Sequence, residues 1–233
     1  SLKKVLKRKH LHSVAITNTT TSSLAGLCET VIPIHAGIEI GVASTKAVTA
    51  QLLALYSILV KLKEEPLEIP DNLPISINAA LATNNIPSIA KNLITFPKII
   101  CLGRSIMLPV AQELALKLKE LTYLHAEAIP LGELKHGPLA LVDSDTLCVV
   151  IDNTTSHAAQ TAISEITARD GQVLTIGSSA PNETMHIPCQ KLDHPLNIIP
   201  INIICQLLSY HAAKALGRSI DKPRNLAKSV TVE

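Results

Sequence analysis

Apolar and polar positions alternate in two different rhythms along the second half of the chain. Short apolar runs occupy residues 98–102, 146–151 and 172–176. Between them, residues 105–121 and 156–168 repeat apolar side chains three and four positions apart, which is the spacing of one helix face. Short strands that alternate with helices predict a mainly parallel sheet with helices on both faces. The predicted fold class is therefore α/β, with a doubly wound sheet.

The first half of the chain carries fewer strand-like runs. Residues 13–16 and 31–34 are short and apolar, and residues 43–62 show a helical pattern. Three prolines and four acidic residues between positions 63 and 74 indicate a linker. A helical region at 76–95, broken near Pro87, follows. Because two strands are too few for a complete doubly wound sheet, we expect the first unit to be incomplete.

Composition narrows the possible partners. Hydrophobic residues make up 47% of the chain and charged residues 17%, which favours a sizeable buried core. The net charge of +2 and the aromatic content of 2% offer neither a basic surface nor stacking platforms for nucleic acid. The most apolar stretch, residues 196–216, is interrupted by Pro200 and several polar side chains, which predicts a core helix rather than a membrane span. We expect neither nucleic acid nor a membrane among the partners.

The five cysteines are odd in number and widely spaced, and no Cys-x-x-Cys pair occurs. This usage is typical of free thiols in a reducing compartment and indicates no structural metal. No secretory signal opens the chain. We therefore expect a cytoplasmic protein.

The C-terminal tail is a candidate for chemistry. It follows Gly217 and the helix-breaking segment 221–223, so it does not extend the preceding helix. If this polar tail docks, it delivers Lys228, and a lysine amine can attack a carbonyl to form a Schiff base. The alternative is a solvated terminus whose lysine has no role.

Two further groups of residues can carry proton transfer. Glu113, Lys117 and Glu120 are spaced four and three apart, so they share one helix face. They either line a cleft, where a carboxylate can act as a base, or form an exposed stripe of ion pairs. His136 lies in a turn-forming stretch, where it is either a surface residue or an acid and base near neutral pH.

Four motifs occur in an order that matches a known family. They are HAGIEIGVASTK at 35–46, ALKLKE at 115–120 with HAEA at 125–128, GELKHGPLA at 132–140, and the tail PRNLAKSVTVE at 223–233. Together they resemble the isomerising half of the glutamine:fructose-6-phosphate amidotransferases, which make glucosamine 6-phosphate. Ile38 and Val48 depart from the family pattern at positions without chemistry. The likeness covers almost the whole chain.

The resemblance implies a role for each candidate residue. Glu120 would move a proton between C1 and C2 of the sugar with help from Lys117, and Lys228 would form the Schiff base at C2. His136 would open the sugar ring and reach the active site of the neighbouring subunit, so a homodimer is implied. Three residues, Val42, Ser44 and Ala227, would contact the sugar. No metal or organic cofactor is implied.

The resemblance also implies an organisation. It predicts two flavodoxin-like sugar isomerase (SIS) domains: the C-terminal part of the first at 1–68, the second at 69–215, and a tail at 216–233 that completes the active site. In the family, a glutaminase domain precedes the SIS domains, and the first SIS domain carries a Ser-Gln-Ser-Gly-Glu-Thr loop that holds the sugar phosphate. Neither the domain nor the loop has a match in this sequence. We therefore expect this chain alone to be inactive and to bind fructose 6-phosphate weakly.

The sequence is compatible with three functions. The first is the isomerase half of an amidotransferase, which takes fructose 6-phosphate and ammonia to glucosamine 6-phosphate. The second is an inactive sugar-phosphate-binding or regulatory module, and the third is an oligomerisation scaffold. The loop at 152–156 predicts a capped helix start without a ligand, because Asp152 would repel an anion. Arg104 and Ser105 mark the first alternative place for a phosphate.

Overall fold

The computed structural model describes residues 12–154, 156–179 and 184–228. It divides into two compact units, one of residues 1–40 and 44–68 and one of residues 41–43 and 69–233. Residues 216–228 of the tail fall within the second unit. The basic residues at positions 3–9 and the last five residues lie outside the described part of the chain.

In the residues that the structure describes, the first unit contains two parallel strands and one long helix. Strand β1 (Val14–Thr17) pairs with β2 (Thr30–Pro33), and helix α1 runs from Lys46 to Leu62. The predicted helix start at residue 43 was three residues early. The Glu39 carboxylate accepts hydrogen bonds from the backbone N–H groups of Thr45, at 2.9 Å, and Ala47, at 3.2 Å. This side chain therefore supplies the acceptors that the start of a helix needs.

The second unit is built on a five-stranded parallel sheet. Its strands are β3 (Lys98–Gly103), β4 (His125–Pro130), β5 (Thr146–Ile151), β6 (Gln172–Gly177) and β7 (Met185–Pro188). Their spatial order is β4-β3-β5-β6-β7. The predicted doubly wound α/β class is confirmed. The edge strands β4 and β7 escaped prediction because each mixes polar side chains with apolar ones, and β7 is only four residues long.

Five helices accompany this sheet. They are α2 (Leu73–Leu81), α3 (Ile86–Leu93), α4 (Leu108–Thr122), α5 (His157–Thr167) and α6 (Ile198–Ala215). The predicted break near Pro87 is confirmed, since the chain leaves the helix at residues 82–85. Pro74 and Pro87 each lie in a first helical turn, where a missing N–H costs nothing. Because helix α2 begins at Leu73, the linker ends at residue 72 and is shorter than the predicted segment 63–74.

The helices cover the sheet on both faces. On one face, α3, α4 and α6 pack on alternate strand residues such as Cys101 and Val149, all fully buried. On the other, α5 packs on the intervening residues, including Leu102 and Val150, together with the loop that contains Leu134. The carboxyl ends of β3 and β5 meet at one edge of this layered structure, and the chain leaves them in opposite directions. This is the topological switch point of such a sheet.

Helix α6 is the core helix that the sequence predicted. With the turn before it, the segment Pro195–Ala215 is long and apolar enough to span a membrane by length and composition. However, 72% of its most apolar window is buried inside the protein. The cysteines of the sheet behave as small apolar residues in the same core. Cys101 and Cys148 are free and fully buried, and burial raises the pKa of Cys148 to about 12.

Candidate active site

Helix α4 brings a lysine and two glutamates together. Lys117 Nζ donates a hydrogen bond to Glu120 Oε2 at 2.8 Å and lies 3.2 Å from Glu113 Oε1. The three residues are one helical turn apart, and the adjacent face of the helix carries buried leucines, including Leu114 and Leu118. The helix is therefore fixed by its apolar face, which holds the charged face in a single position.

Burial decides between the two interpretations of this charged face. Lys117 is only 3% exposed, and the side chains of Glu113 and Glu120 are 16% and 22% exposed. An exposed stripe of ion pairs would be solvated. The interpretation of this face as an exposed stripe is therefore wrong. A buried ammonium between two carboxylates keeps the charges balanced, and Glu120 retains an oxygen that is not bonded to Lys117. Such a carboxylate can exchange protons with a bound molecule.

Tyr123 ends helix α4 in an unusual way. It has φ of +66° and ψ of +15°, a left-handed conformation that normally favours glycine. Its ring packs under two guanidinium groups, with Arg224 Cζ 4.2 Å and Arg218 Cζ 5.0 Å from the ring centroid. Its hydroxyl accepts a hydrogen bond of 2.9 Å from the Arg224 backbone N–H. These contacts offset the cost of the backbone conformation.

The tail docks on this end of the helix. After Gly217, with φ of +64°, the Arg218 N–H donates to the Ala213 carbonyl at 2.9 Å. Ile220 packs against a small buried cluster that includes Leu121, and Pro223 is buried. Residues 218–224 are therefore held against the end of α4, whereas delivery of Lys228 by the tail stays a prediction. Beyond them, Ala227 and Lys228 are exposed.

A short segment before helix α1 joins the same place. The Val42 N–H donates to the Asp221 carbonyl at 3.0 Å, and Ala43 packs against Leu121. Gly41 lies so close that an added Cβ would be 3.1 Å from the Asp221 carboxylate. Val42, the end of α4 and the tail are therefore held together within the second unit. Ser44, the next predicted residue, is half-buried and belongs to the first unit.

His136 is not brought to this cluster by its own chain. It ends the 3-10 turn Leu131–His136, is exposed, and precedes Gly137 with φ of +135°. The turn is held on the face of α5 by buried Leu134 and by an ion pair of 2.9 Å between Lys135 and Glu165. Helix α4, with Glu120, covers the opposite face of the sheet.

Two residues of this site were missed by sequence reasoning. Tyr123 carries no signal of a left-handed helix end, because glycine or asparagine normally occupies that position. Asp221 was interpreted only as part of a helix breaker, yet its carbonyl holds the segment that contains Val42. The sequence offered one signal for Tyr123. Arg218 and Arg224 precede Lys228, the chain has few aromatic residues, and arginine side chains stack on aromatic rings.

The fold and this cluster define a class of protein. The SIS domain pattern matches residues 1–61 and 93–217, and the chain belongs to the SIS domain family.

The particular relatives are glutamine–fructose-6-phosphate aminotransferases (isomerizing). The chain is 40% identical over 242 residues to the enzyme from Pseudomonas aeruginosa, and the alignment covers 96% of this chain. It is 43% identical over 246 residues to the enzyme from Neisseria meningitidis serogroup A, again over 96% of this chain. In both cases the chain spans only 40% of the relative's length. The family recognised from the motifs is confirmed.

Solved structures agree with the sequence relatives. The C-terminal domain of glucosamine-fructose-6-phosphate aminotransferase from Francisella tularensis superposes with a TM-score of 0.82 at 33% identity. This chain covers 68% of that one, with 95% of its own length aligned. A glucosamine-6-phosphate deaminase from Thermotoga maritima gives a TM-score of 0.78 at 22% identity, covering 98% of this chain and 69% of that one. The second likeness shows the fold alone.

Proposed function

We propose that this chain is the isomerase half of a glucosamine-6-phosphate synthase. The observation that carries the proposal is the buried Lys117–Glu120 hydrogen bond of 2.8 Å, on a helix whose end also holds the tail that bears Lys228. Helix α4 thus carries a base that can take a proton from the sugar. Its end also holds the tail, whose lysine amine can attack the sugar carbonyl. The substrates would be fructose 6-phosphate and ammonia.

The proposed reaction proceeds through ring opening, imine formation, displacement by ammonia and proton transfer. His136 protonates the ring oxygen as the anomeric hydroxyl loses its proton, which gives the open-chain ketose. The Lys228 amine adds to the C2 carbonyl and water leaves, which forms an imine. Ammonia then displaces the lysine from C2. Glu120 takes a proton from C1 and returns it to C2, while the O1 hydroxyl proton passes to the imine nitrogen. The resulting 2-amino aldehyde closes to glucosamine 6-phosphate.

Lys117 serves this cycle through Glu120. Its buried ammonium pairs with the Glu120 carboxylate at 2.8 Å, so that neither group is an unpaired charge in surroundings where such a charge is costly. The hydrogen bond also fixes one carboxylate oxygen, which leaves the other directed away from Lys117 for the substrate. Val42, Ser44 and Ala227 are proposed to contact the sugar.

We assign His136 to the active site of a partner subunit in a homodimer. In support, the turn that carries His136 lies on the sheet face opposite to α4, so Glu120 and His136 of one chain lie on different sides of the sheet. The imidazole is exposed and is therefore available to a second copy. The proposal further includes ammonia supply by a glutaminase domain, as in the full-length relatives, and a cytoplasmic location.

Chemical trapping tests the proposal. Incubation of the full-length protein with fructose 6-phosphate and borohydride should reduce the imine and attach the hexitol phosphate to Lys228, which peptide mass spectrometry locates. The Lys228→Arg variant should give no adduct, because a guanidinium does not form the imine. An adduct at another lysine, or none in the unaltered protein, would refute the proposed role of the tail.

A further inference from the structure

The turn that carries His136 is anchored on helix α5 by two buried leucines. Leu131 and Leu134 belong to the same apolar cluster as Ile166 of α5. They are three residues apart in the 3-10 turn Leu131–His136, so they lie on one side of it. Apolar contact has no preferred direction. The leucines therefore hold the turn on α5 without fixing where the residues that follow them point.

An ion pair supplies the direction that apolar contact lacks. Lys135 Nζ, on the residue directly before His136, lies 2.9 Å from Glu165 Oε1 of α5. The Glu165 side chain is only 26% exposed, and its second oxygen, Oε2, is buried without a hydrogen-bond partner in the part of the chain that the structure describes. Lys135 is thus the cation that balances a largely buried carboxylate. Such a lysine is held in one direction rather than left in solvent.

The chain directly after His136 is also constrained. Gly137 has φ of +135°, which residues with a side chain rarely adopt. Pro138, whose own φ is fixed by its ring, opens the next 3-10 turn, and the Ala140 N–H donates to the Gly137 carbonyl at 2.9 Å. His136 therefore lies between a fixed backbone turn and a lysine that is tied to α5.

We propose that Glu165 is a positioning residue for His136 and acts through Lys135. This role rests on the proposed function, in which His136 opens the sugar ring. An acid must lie within hydrogen-bond reach of the ring oxygen that it protonates, and a displacement of about 1 Å can cost about a hundred-fold in rate. Glu165 gives the turn a fixed reference on α5, and neither Glu165 nor Lys135 has to touch the sugar.

An open-chain substrate separates ring opening from the later steps. 5-Deoxyfructose 6-phosphate lacks the hydroxyl that closes the furanose ring, so it needs no acid at a ring oxygen. In the full-length protein, Glu165→Gln should lower kcat for deuterium exchange at C1 of fructose 6-phosphate about ten-fold, with KM nearly unchanged. Exchange with the open-chain compound should keep its original rate. Glu133→Gln, at an exposed carboxylate in the same turn, is the matched control and should exchange both compounds normally.

Two outcomes of this comparison would overturn the proposal. Equal slowing of both compounds in Glu165→Gln would assign Glu165 a general structural role. Exchange of both at the original rate would show that the ion pair does not position His136.

A double-variant cycle tests whether Glu165 acts through Lys135. Lys135→Met, Glu165→Gln and the variant with both changes should slow exchange of fructose 6-phosphate by the same factor, within about two-fold, because each breaks the same ion pair. Effects that multiply in the double variant would show that the two residues act independently. A much larger effect of Lys135→Met would show that the lysine itself serves the reaction. Either result would overturn the proposed route.

His136→Gln keeps a failure of this role apart from a failure of the proposed function. It should slow exchange of fructose 6-phosphate and spare the open-chain compound. If His136→Gln lacks this selectivity, ring opening by His136 is wrong and the role of Glu165 falls with it. If His136→Gln is selective and Glu165→Gln is not, the role of Glu165 alone is overturned.

Mixed dimers locate the effect on one chain. In a dimer of a His136→Gln chain and a Lys228→Ala chain, the intact site takes His136 from the second chain. Glu165→Gln should slow that site about ten-fold when the Lys228→Ala chain carries it, and should have no effect when the His136→Gln chain does. Equal slowing from either chain would overturn a role in positioning His136.

Discussion

The hydroxyl of Tyr123 accepts a hydrogen bond of 2.9 Å from the backbone N–H of Arg224. This bond joins the end of the helix that carries Glu120 to the tail that carries Lys228. The Tyr123 ring also packs under the Arg224 guanidinium, so the tail is held by its backbone and by a side chain at once. A tail that is held at residue 224 has only a short length of chain in which to place Lys228.

Removal of the Tyr123 hydroxyl should loosen the tail without unfolding the protein. Tyr123→Phe keeps the ring and its contacts with the arginines but loses one hydrogen bond, worth about 1 kcal/mol. We expect borohydride trapping of fructose 6-phosphate at Lys228 to slow roughly five-fold, with the melting temperature changed by only a few degrees. Tyr210→Phe, at an exposed tyrosine 40% accessible to solvent, is the matched control and should trap normally. Trapping at the original rate in Tyr123→Phe would show that the bond does not position the tail.

Replacement of Glu120 by glutamine should abolish exchange of the C1 proton of the sugar. The amide keeps the shape of the side chain but cannot accept a proton at neutral pH, so exchange should fall at least about a hundred-fold. Binding of fructose 6-phosphate should remain nearly unchanged. The measurement is deuterium uptake from heavy water in a full-length protein that contains this half. Exchange that survives above about a hundredth of the original rate would exclude Glu120 as the base.

Sharing of His136 between subunits predicts complementation between two inactive variants. His136→Gln and Lys228→Ala should each be inactive alone. When the two are mixed, dissociated and reassociated, each mixed dimer regains one site with both residues intact. About a quarter of the original activity should return, because about half of randomly formed dimers are mixed and each has one intact site of two. A histidine that acts within its own chain gives no recovery, because every site then lacks one of the two residues.

The sequence predicted the parts of the fold that follow strong periodicity. The run 146–151 became β5 without a change of boundary, and the stripe of Glu113, Lys117 and Glu120 proved to share one face of α4. The burial of that face was not predictable, because spacing does not reveal what covers a helix. Tyr123 was missed for a related reason. Its importance depends on a backbone conformation and on its contacts with Arg218 and Arg224, and both exist only after the chain has folded.

Lys117 should contribute to stability through charge balance rather than through packing. Lys117→Met fills similar space but leaves two poorly solvated carboxylates side by side, so we expect a loss of about 3 kcal/mol in unfolding free energy. The triple variant that adds Glu113→Gln and Glu120→Gln removes the uncompensated charges. It should recover to within about 1 kcal/mol of the original protein. Urea denaturation measures both. Equal losses in the single and triple variants would assign the effect to packing instead.

Asp152 should stabilise the protein in a way that depends on pH. Burial works against its ionisation, but hydrogen bonds from Ser156 and Thr154 outweigh that effect and hold the pKa of Asp152 below its usual value. A carboxyl whose pKa is lowered by folding stabilises the folded state above its unfolded pKa, near 4, and loses this contribution as the pH falls through the lower folded value. Asp152→Asn should therefore cost about 1–2 kcal/mol at pH 7. The difference between variant and original should shrink below about pH 4, because protonation then removes the same charge from the original protein. Asp145→Asn, at an exposed aspartate before β5, is the control for the loss of one surface charge. Urea midpoints between pH 3 and pH 7 make the comparison, and a constant gap across that range would mean that the carboxylate charge is not what holds the loop.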